Sequence, residues 1–232
     1  MNTMLAGLAI SDLHLGSIDC DAKTILSILK NNPHETLFIV GDLVDGKVKI
    51  IDDDQWEVAD YIRSKKDKVI IDGNHDPKEE KLVKTMLNIK AKVKKRHLWS
   101  VNERMFYFEH GHRFQAKWLH RLFKYPFFDK IFYRLIRVFK SLHIGGFGAP
   151  LIIDWIHQWV DNKVAKKAIR KTERHNAQVF IGGDTHYPNK RIVLGENGKA
   201  IEYFNCGGPG KRAYVAIHKD GTAELKFANG ST

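Results

Sequence analysis

The chain has 232 residues, 43% of them hydrophobic, enough to bury a core without staples. Its two cysteines, Cys20 and Cys206, lie far apart, which argues against a disulfide-held secreted scaffold, and no apolar run approaches the ~20 residues of a spanning helix. Lysine and arginine number 38 against 27 acids, a net charge of +11 that calls for an anionic partner: nucleic acid, a phosphorylated metabolite or an acidic membrane surface.

The apolar start, residues 1–10, lacks basic residues and runs straight into Ser11-Asp12-Leu13-His14, so it reads as a strand and not a signal peptide. A cytoplasmic setting is the expectation. The same unit then recurs: a short run rich in Ile, Val and Phe, closed by a loop carrying acid, Asn or His. Residues 36–40 precede Gly41-Asp42-Leu43-Val44-Asp45, and 68–71 precede Asp72-Gly73-Asn74-His75-Asp76. Residues 105–108 precede Glu109-His110-Gly111-His112, and 177–181 precede Gly182-Gly183-Asp184-Thr185-His186. Helical patterns at 21–30 and 55–64 separate the first three units, the second with Trp56, Val58 and Ile62 assigned to one face. This alternation predicts an α/β fold. Residues 89–93 alternate as an edge strand, and 200–205, 214–218 and 222–227 read as antiparallel strands, the last two around an Asp220-Gly221 turn.

Residues 113–175 differ, holding 14 Lys/Arg against 4 Asp/Glu and 12 of the 25 aromatics. Trp118, Leu122, Phe128, Phe132, Leu135, Phe139 and Leu142 fall at helical spacing, broken at Pro126. A second helix is expected from about Pro150, with Ile152, Trp155, Ile156, Trp159 and Val160 as its apolar stripe. The segment reads as a helical insertion, or lid, within one domain spanning 1–232.

In open α/β sheets, ligands bind beyond the carboxyl ends of the strands, so five such loops would converge on one site. Carboxylates suit hard divalent ions and imidazole suits Mn, Fe or Zn, and a bridging carboxylate can hold two ions for displacement at phosphorus. Together Asp12-Leu13-His14, Gly41-Asp42-(x)2-Asp45, Gly73-Asn74-His75-Asp76, His110-Gly111-His112 and Asp184-Thr185-His186 resemble the five ordered blocks of the calcineurin-like metallophosphoesterases. The resemblance implies a four-layer α/β/β/α sandwich of two packed sheets flanked by helices. It also implies two divalent metal ions. Asp12, His14, Asp42 and His186 would hold one; Asp42, Asn74, His110 and Asp184 would hold the other, with Asp42 bridging. His75 would stabilise or protonate the departing oxygen, and Asp45 and Asp76 would orient the ligands.

Residues 11–17, 36–46 and the basic aromatic insertion look most like the UDP-2,3-diacylglucosamine pyrophosphatases, which cleave a nucleotide–lipid diphosphate to UMP and a lipid monophosphate at the membrane face. This likeness implies a peripheral location on an anionic membrane. Its substrate-binding candidates are Asn74, His75, Trp118, Arg121, Lys163 and Lys167. The chain departs from the pattern at three positions. His75 stands where the best-known members carry Arg, and His112 where they carry Asp; His112 is expected to be solvated. Asp184 replaces the family's usual His, adding a negative charge that predicts a harder ion, Mn over Zn. A nuclease or nucleotide phosphodiesterase, whose basic segment would track a phosphate backbone, is the alternative, and a non-catalytic interaction module ranks last.

Overall fold

Two sheets form from the short apolar runs. The computed structural model describes residues 4–18, 20–45, 52–76, 87–89, 91–114, 148–208 and 213–228, with the backbone alone for 148–157. In the first sheet β1 (Leu5–Ile10), β2 (His34–Val40), β3 (Lys68–Ile71) and β4 (Val93–Lys94) run parallel. Two antiparallel strands, β10 (Ala213–Ile217) and β11 (Ala223–Phe227), complete it beyond β1. The second sheet has the order β5-β6-β7-β9-β8: His97–Val101, Arg104–Phe108, Val179–Gly182, Ala200–Asn205 and Asn189–Leu194. Its three inner strands are parallel, and β5 and β8 pair antiparallel at the edges.

Three apolar clusters define the layers. Between the sheets pack Ala9, Phe38, Val40, Phe106, Phe108, Val179, Ile181, Phe204, Val215 and Ile217. The Phe38 and Phe108 rings stack there at 4.3 Å, and Gly7 leaves room for the ring of Phe38 on the neighbouring strand, which a Cβ would meet at 2.8 Å. α1 (Ala22–Asn31) and α2 (Asp53–Ser64) cover the first sheet through Ile25, Leu26, Ile28, Leu29, Val58 and Ile62. Both helices start at a carboxylate: Asp21 accepts from Thr24 N at 3.1 Å and Asp52 from Gln55 N at 2.8 Å. α3 (Gly148–Arg174) covers the second sheet, packing Val164, Ala165, Ala168 and Ile169 with Tyr107, Phe180 and Tyr203. The result is the expected four-layer α/β/β/α arrangement. No helix among the described residues is long and apolar enough to cross a membrane.

Several expectations change. Trp56 is 41% exposed while Val58 and Ile62 are buried, because two residues along a helix turn the side chain to the opposite side. Residues 89–93 are not one strand: only Val93–Lys94 pairs with β3. Leu87 and Ile89 dive into the core and Arg63 donates to Leu87 O at 3.1 Å, so burial overrides the alternation. Residues 200–205 join the second sheet, parallel to β7 and antiparallel to β8, and do not neighbour β10. β5 was hidden because its hairpin turn is Asn102-Glu103, both residues left-handed (φ 48° and 61°) without a glycine. β8 was hidden because its sequence does not alternate: Asn189, Lys190 and Arg191 are followed by Ile192, Val193 and Leu194, of which Ile192 and Leu194 are exposed. α3 begins at Gly148, two residues before Pro150. The expected helix over 118–142, its break at Pro126, and the side chains of Trp118, Arg121 and Trp155 lie outside the described residues.

One histidine ties this frame to pH. His34, 4% exposed at the start of β2, sets Nδ1 against Asn32 O at 2.6 Å, while its buried Nε2 has no partner among the described residues. Burial lowers its pKa, and the Lys65 charge adds to that against the Asn32 contact. The folded state therefore resists protonation more than the unfolded chain does. The His34 contribution is complete above the unfolded pKa near 6.5 and is lost as pH falls toward the folded-state value, at up to about 1.4 kcal/mol per pH unit. Denaturant titrations of wild type and His34→Gln at pH 7.5 and 5.5 should show the variant with the flatter dependence. Parallel pH profiles would contradict this account.

Candidate metal centre

The loops that leave the carboxyl ends of the parallel strands meet at one rim. The first two are zipped together: Asp12 N donates to Gly41 O at 3.1 Å, His14 N to Asp42 O at 3.0 Å and Leu15 N to Leu43 O at 2.9 Å. Asp12, His14, Asp42, Asp184 and His186 all have left-handed backbones, with φ of 56°, 48°, 50°, 87° and 52°. Such conformations cost free energy in non-glycine residues and persist where surrounding structure enforces them, as at functional sites.

Asp12 is at the centre. Its Oδ1 lies 3.4 Å from His110 Nε2 and 3.2 Å from His186 Nε2, and both of its oxygens accept from Asp184 N. Asp42 Oδ2 is 3.7 Å from His110 Nε2 and 4.0 Å from His14 Nε2, while its Oδ1 accepts from His75 N at 2.9 Å. His14 and His186 face each other, Nε2 to Nε2, at 3.4 Å. The donor atoms of Asp12, His14 and His186 lie within 4.8 Å of one another, as do those of Asp12, Asp42 and His110. These spacings approach those of ligands ~2.1 Å from a common ion. Asp12 is shared by both groups, whereas the family pattern assigns the bridge to Asp42; Asp42 still touches a histidine of each group.

Asp184 belongs to neither group; its carboxylate acts on His110 and His186 through charge. Asn74 lies exposed in the loop after β3. His75, its side chain 48% exposed, has Nδ1 3.9 Å from Asp45. Asp76 accepts from Val44 N at 3.0 Å and Gly73 N at 2.7 Å, clamping the second loop to the third, and burial pushes its pKa up to about 6. Lys163 and Lys167 lie exposed on α3.

The electrostatics fit cations. Burial opposes charge on His110, yet the Asp12 hydrogen bond and the Asp12, Asp42 and Asp184 carboxylates push its pKa up to about 10. The same opposition acts at His186, and there too the carboxylates win. Burial would raise Asp12, but His110 and His186 hold it well below the usual carboxylate range. A clustered negative field draws protons onto its own histidines, and divalent ions answer the same field with more charge and the preferred O/N donor chemistry.

Two features escaped the sequence reading. His112 is half-buried rather than solvated, its Nδ1 2.8 Å from His110 Nδ1, which fixes the ring whose Nε2 faces the carboxylates. The His-x-His spacing was its signal. The loop after β9 forms a sixth wall: Ser11 Oγ donates to Gly207 O at 2.7 Å, and a Cβ on Gly208 would come within 3.6 Å of Asp12 and 3.7 Å of His186.

Two stacked sheets with aspartates and histidines gathered at one rim suit a metal-dependent phosphoester hydrolase. The calcineurin-like phosphoesterase family model matches residues 8–188, and the chain belongs to that family. It is similar to YfcE, a phosphoesterase from E. coli, at 16% identity over 96% of this chain and 99% of that one, with a TM-score of 0.48. It is also similar to zinc-complexed Vps29 from Entamoeba histolytica (14% identity, 95% and 96% covered, TM-score 0.46). A third similar structure is a predicted phosphoesterase from Streptococcus pneumoniae (14%, 96% and 97%, TM-score 0.41). No curated protein matches.

Proposed function

We propose that the chain hydrolyses a phosphoanhydride or phosphodiester bond in a UDP-linked glycolipid precursor, taking UDP-2,3-diacylglucosamine to UMP and a lipid monophosphate. The observation that carries the hydrolytic chemistry is the pair of donor groups built on Asp12. In this reading Asp12, His14, Asp42 and His186 hold one divalent ion, and Asp42, Asn74, His110 and Asp184 a second, with Mn2+ preferred; Asp12, whose Oδ1 lies 3.4 Å from His110, joins the two sets. Bound there, the ions supply charge against the phosphoryl oxygens and acidify the attacking water. The residues do the rest. Asp76 holds the second and third loops in register through Val44 N and Gly73 N. His75, exposed at the rim, meets the departing oxygen and stabilises or protonates it.

The substrate class rests on the likeness of residues 11–17 and 36–46 and on the cationic side of α3. Lys163, Lys166, Lys167 and Arg174 are exposed along it, Arg170 is paired with Glu196 at 2.7 Å, and Lys163 lies over the Trp159 ring at 5.6 Å. Each such cation near an anionic membrane contributes about 1 kcal/mol, which suits peripheral binding and a lipid-linked diphosphate. The segment 113–175 supplies the lid in this reading, except for the part of α3 from Val164 to Ile169 that packs on the second sheet.

The test is product identification after incubating Mn2+-loaded protein with UDP-2,3-diacylglucosamine, UDP-sugars, dinucleotides and oligonucleotides. UMP released only from the acylated substrate supports the proposal. Turnover of oligonucleotides alone would replace it with a nuclease. Anionic vesicles should bind the protein and release it as salt rises.

Asp184 tunes the ion. Asp184→His should shift preference from Mn2+ toward Zn2+ in competitive loading, because imidazole removes a hard negative ligand. An unchanged Mn/Zn preference would show that the carboxylate sets none of it.

A further inference from the structure

Asp161 is fully buried, yet it belongs to no donor group. It sits on α3, on the outer side of the second sheet, and gathers donors from three other elements. Its Oδ1 accepts from Tyr203 Oη at 2.7 Å and Asn205 Nδ2 at 2.9 Å on β9, and from Thr185 Oγ1 at 3.5 Å. Its Oδ2 accepts from Asn189 Nδ2 at 2.9 Å and from the Arg191 guanidinium on β8. This uses the full acceptor capacity of a carboxylate. Asn205 Nδ2 also donates to Thr185 Oγ1 at 2.6 Å, so that hydroxyl accepts from the amide while it faces Asp161.

Thr185 is the middle residue of Asp184-Thr185-His186. The residues on either side hold left-handed backbones, φ 87° and 52°, which L side chains rarely adopt. Such strain survives where neighbours over-determine it, and the buried Thr185 side chain is where this loop is gripped. The grip extends further: Asn205 Oδ1 accepts from Gly207 N at 2.9 Å, and Gly207 O accepts from Ser11 Oγ beside Asp12.

We propose that Asp161 is a positioning residue that locks the Asp184–His186 loop, through Thr185 and Asn205, into the geometry the metal site uses. It makes no contact with ion or substrate. Because α3 continues from the basic segment, the same carboxylate couples that helix to the ligand loop. The metal part of this inference rests on the proposed function; the loop part does not.

Three variants and three readouts test it. Thr185→Val keeps the side-chain shape and leaves Asp161 with its β8 and β9 partners, so α3 stays anchored. Asp161→Asn puts an amide donor among donors. In both, hydrogen exchange of amides 183–187 should quicken by about tenfold or more while β1 and β2 keep wild-type protection. Mn2+ affinity, by calorimetry, should fall about tenfold to a hundredfold, with kcat for an aryl phosphodiester falling and KM little changed. Thr185→Ser, which retains the hydroxyl, should restore all three. Unchanged exchange at 183–187 in Thr185→Val would overturn the proposal, as would a fall in Tm without any change in Mn2+ affinity. Wild-type protein that binds no Mn2+ would instead sink the proposed function, and the exchange experiment would still decide whether the loop is held.

Discussion

Asp12→Asn should abolish Mn2+-dependent hydrolysis while leaving the chain folded. The substitution preserves shape, and the remaining oxygen can still accept from Asp184 N, so the loop contact survives in part. What goes is the charge that His110 and His186 face at 3.4 and 3.2 Å. His110 then loses the largest of the contributions that together oppose burial, so it settles toward neutrality instead of standing as an unpaired buried cation. The fold is spared the ~3–5 kcal/mol that a stranded buried charge costs. Outer partners of a ligand typically account for 10–100-fold in affinity or activity, so a carboxylate shared by both donor groups should account for at least about a hundredfold. Metal analysis after dialysis, with hydrolysis of an aryl phosphodiester in Mn2+, checks this. Wild-type metal content and turnover in the variant would mean that the rim is not the metal site.

That rim was largely readable because its chemistry is punctual. Each loop follows a run of Ile, Val or Phe, and the order of Asp, Asn and His survives any uncertainty in strand boundaries. The start of α1 at Asp21 was equally local, since a cap needs only a carboxylate three residues before an amide, whereas α2 begins two residues ahead of the pattern at 55–64, behind its Asp52 cap. What stayed hidden depends on tertiary geometry. The edge strands β5 and β8 expose every second residue, and the β5–β6 turn puts Asn102 and Glu103, not a glycine, at its two left-handed positions. Asp161 has no local mark: its partners lie 24 to 44 positions later, and nothing in the sequence links them. Gly207 and Gly208 enter the site only because β9 lies beside β7, a parallel pairing that the C-terminal run of strands did not suggest. His112 had a visible spacing, but only burial beside His110 distinguishes a ring-fixing partner from a surface histidine.

Gly73→Ala should inactivate through collision and not through backbone strain. Gly73 has no positive φ, so alanine fits the conformation; the difficulty is space. Its Cβ would stand 1.9 Å from Asp42 Oδ1 and 2.2 Å from Asp42 N, distances no real methyl tolerates. The third loop cannot retreat freely, because Gly73 N donates to Asp76 and His75 N to Asp42 itself. Asp42 must therefore shift, and a misplacement of ~1 Å at a reacting centre can cost about a hundredfold in rate. Overpacking of this kind also costs about 1–3 kcal/mol of stability. Gly198→Ala is the contrasting case: φ is +76°, but a Cβ there meets nothing within 4 Å. It should lose roughly 1 kcal/mol through conformation and keep full activity. Measuring Tm and kcat/KM on both variants separates the mechanisms, since only the collision reaches Asp42. An active Gly73→Ala would show that the carboxylate has more room to move than this packing allows.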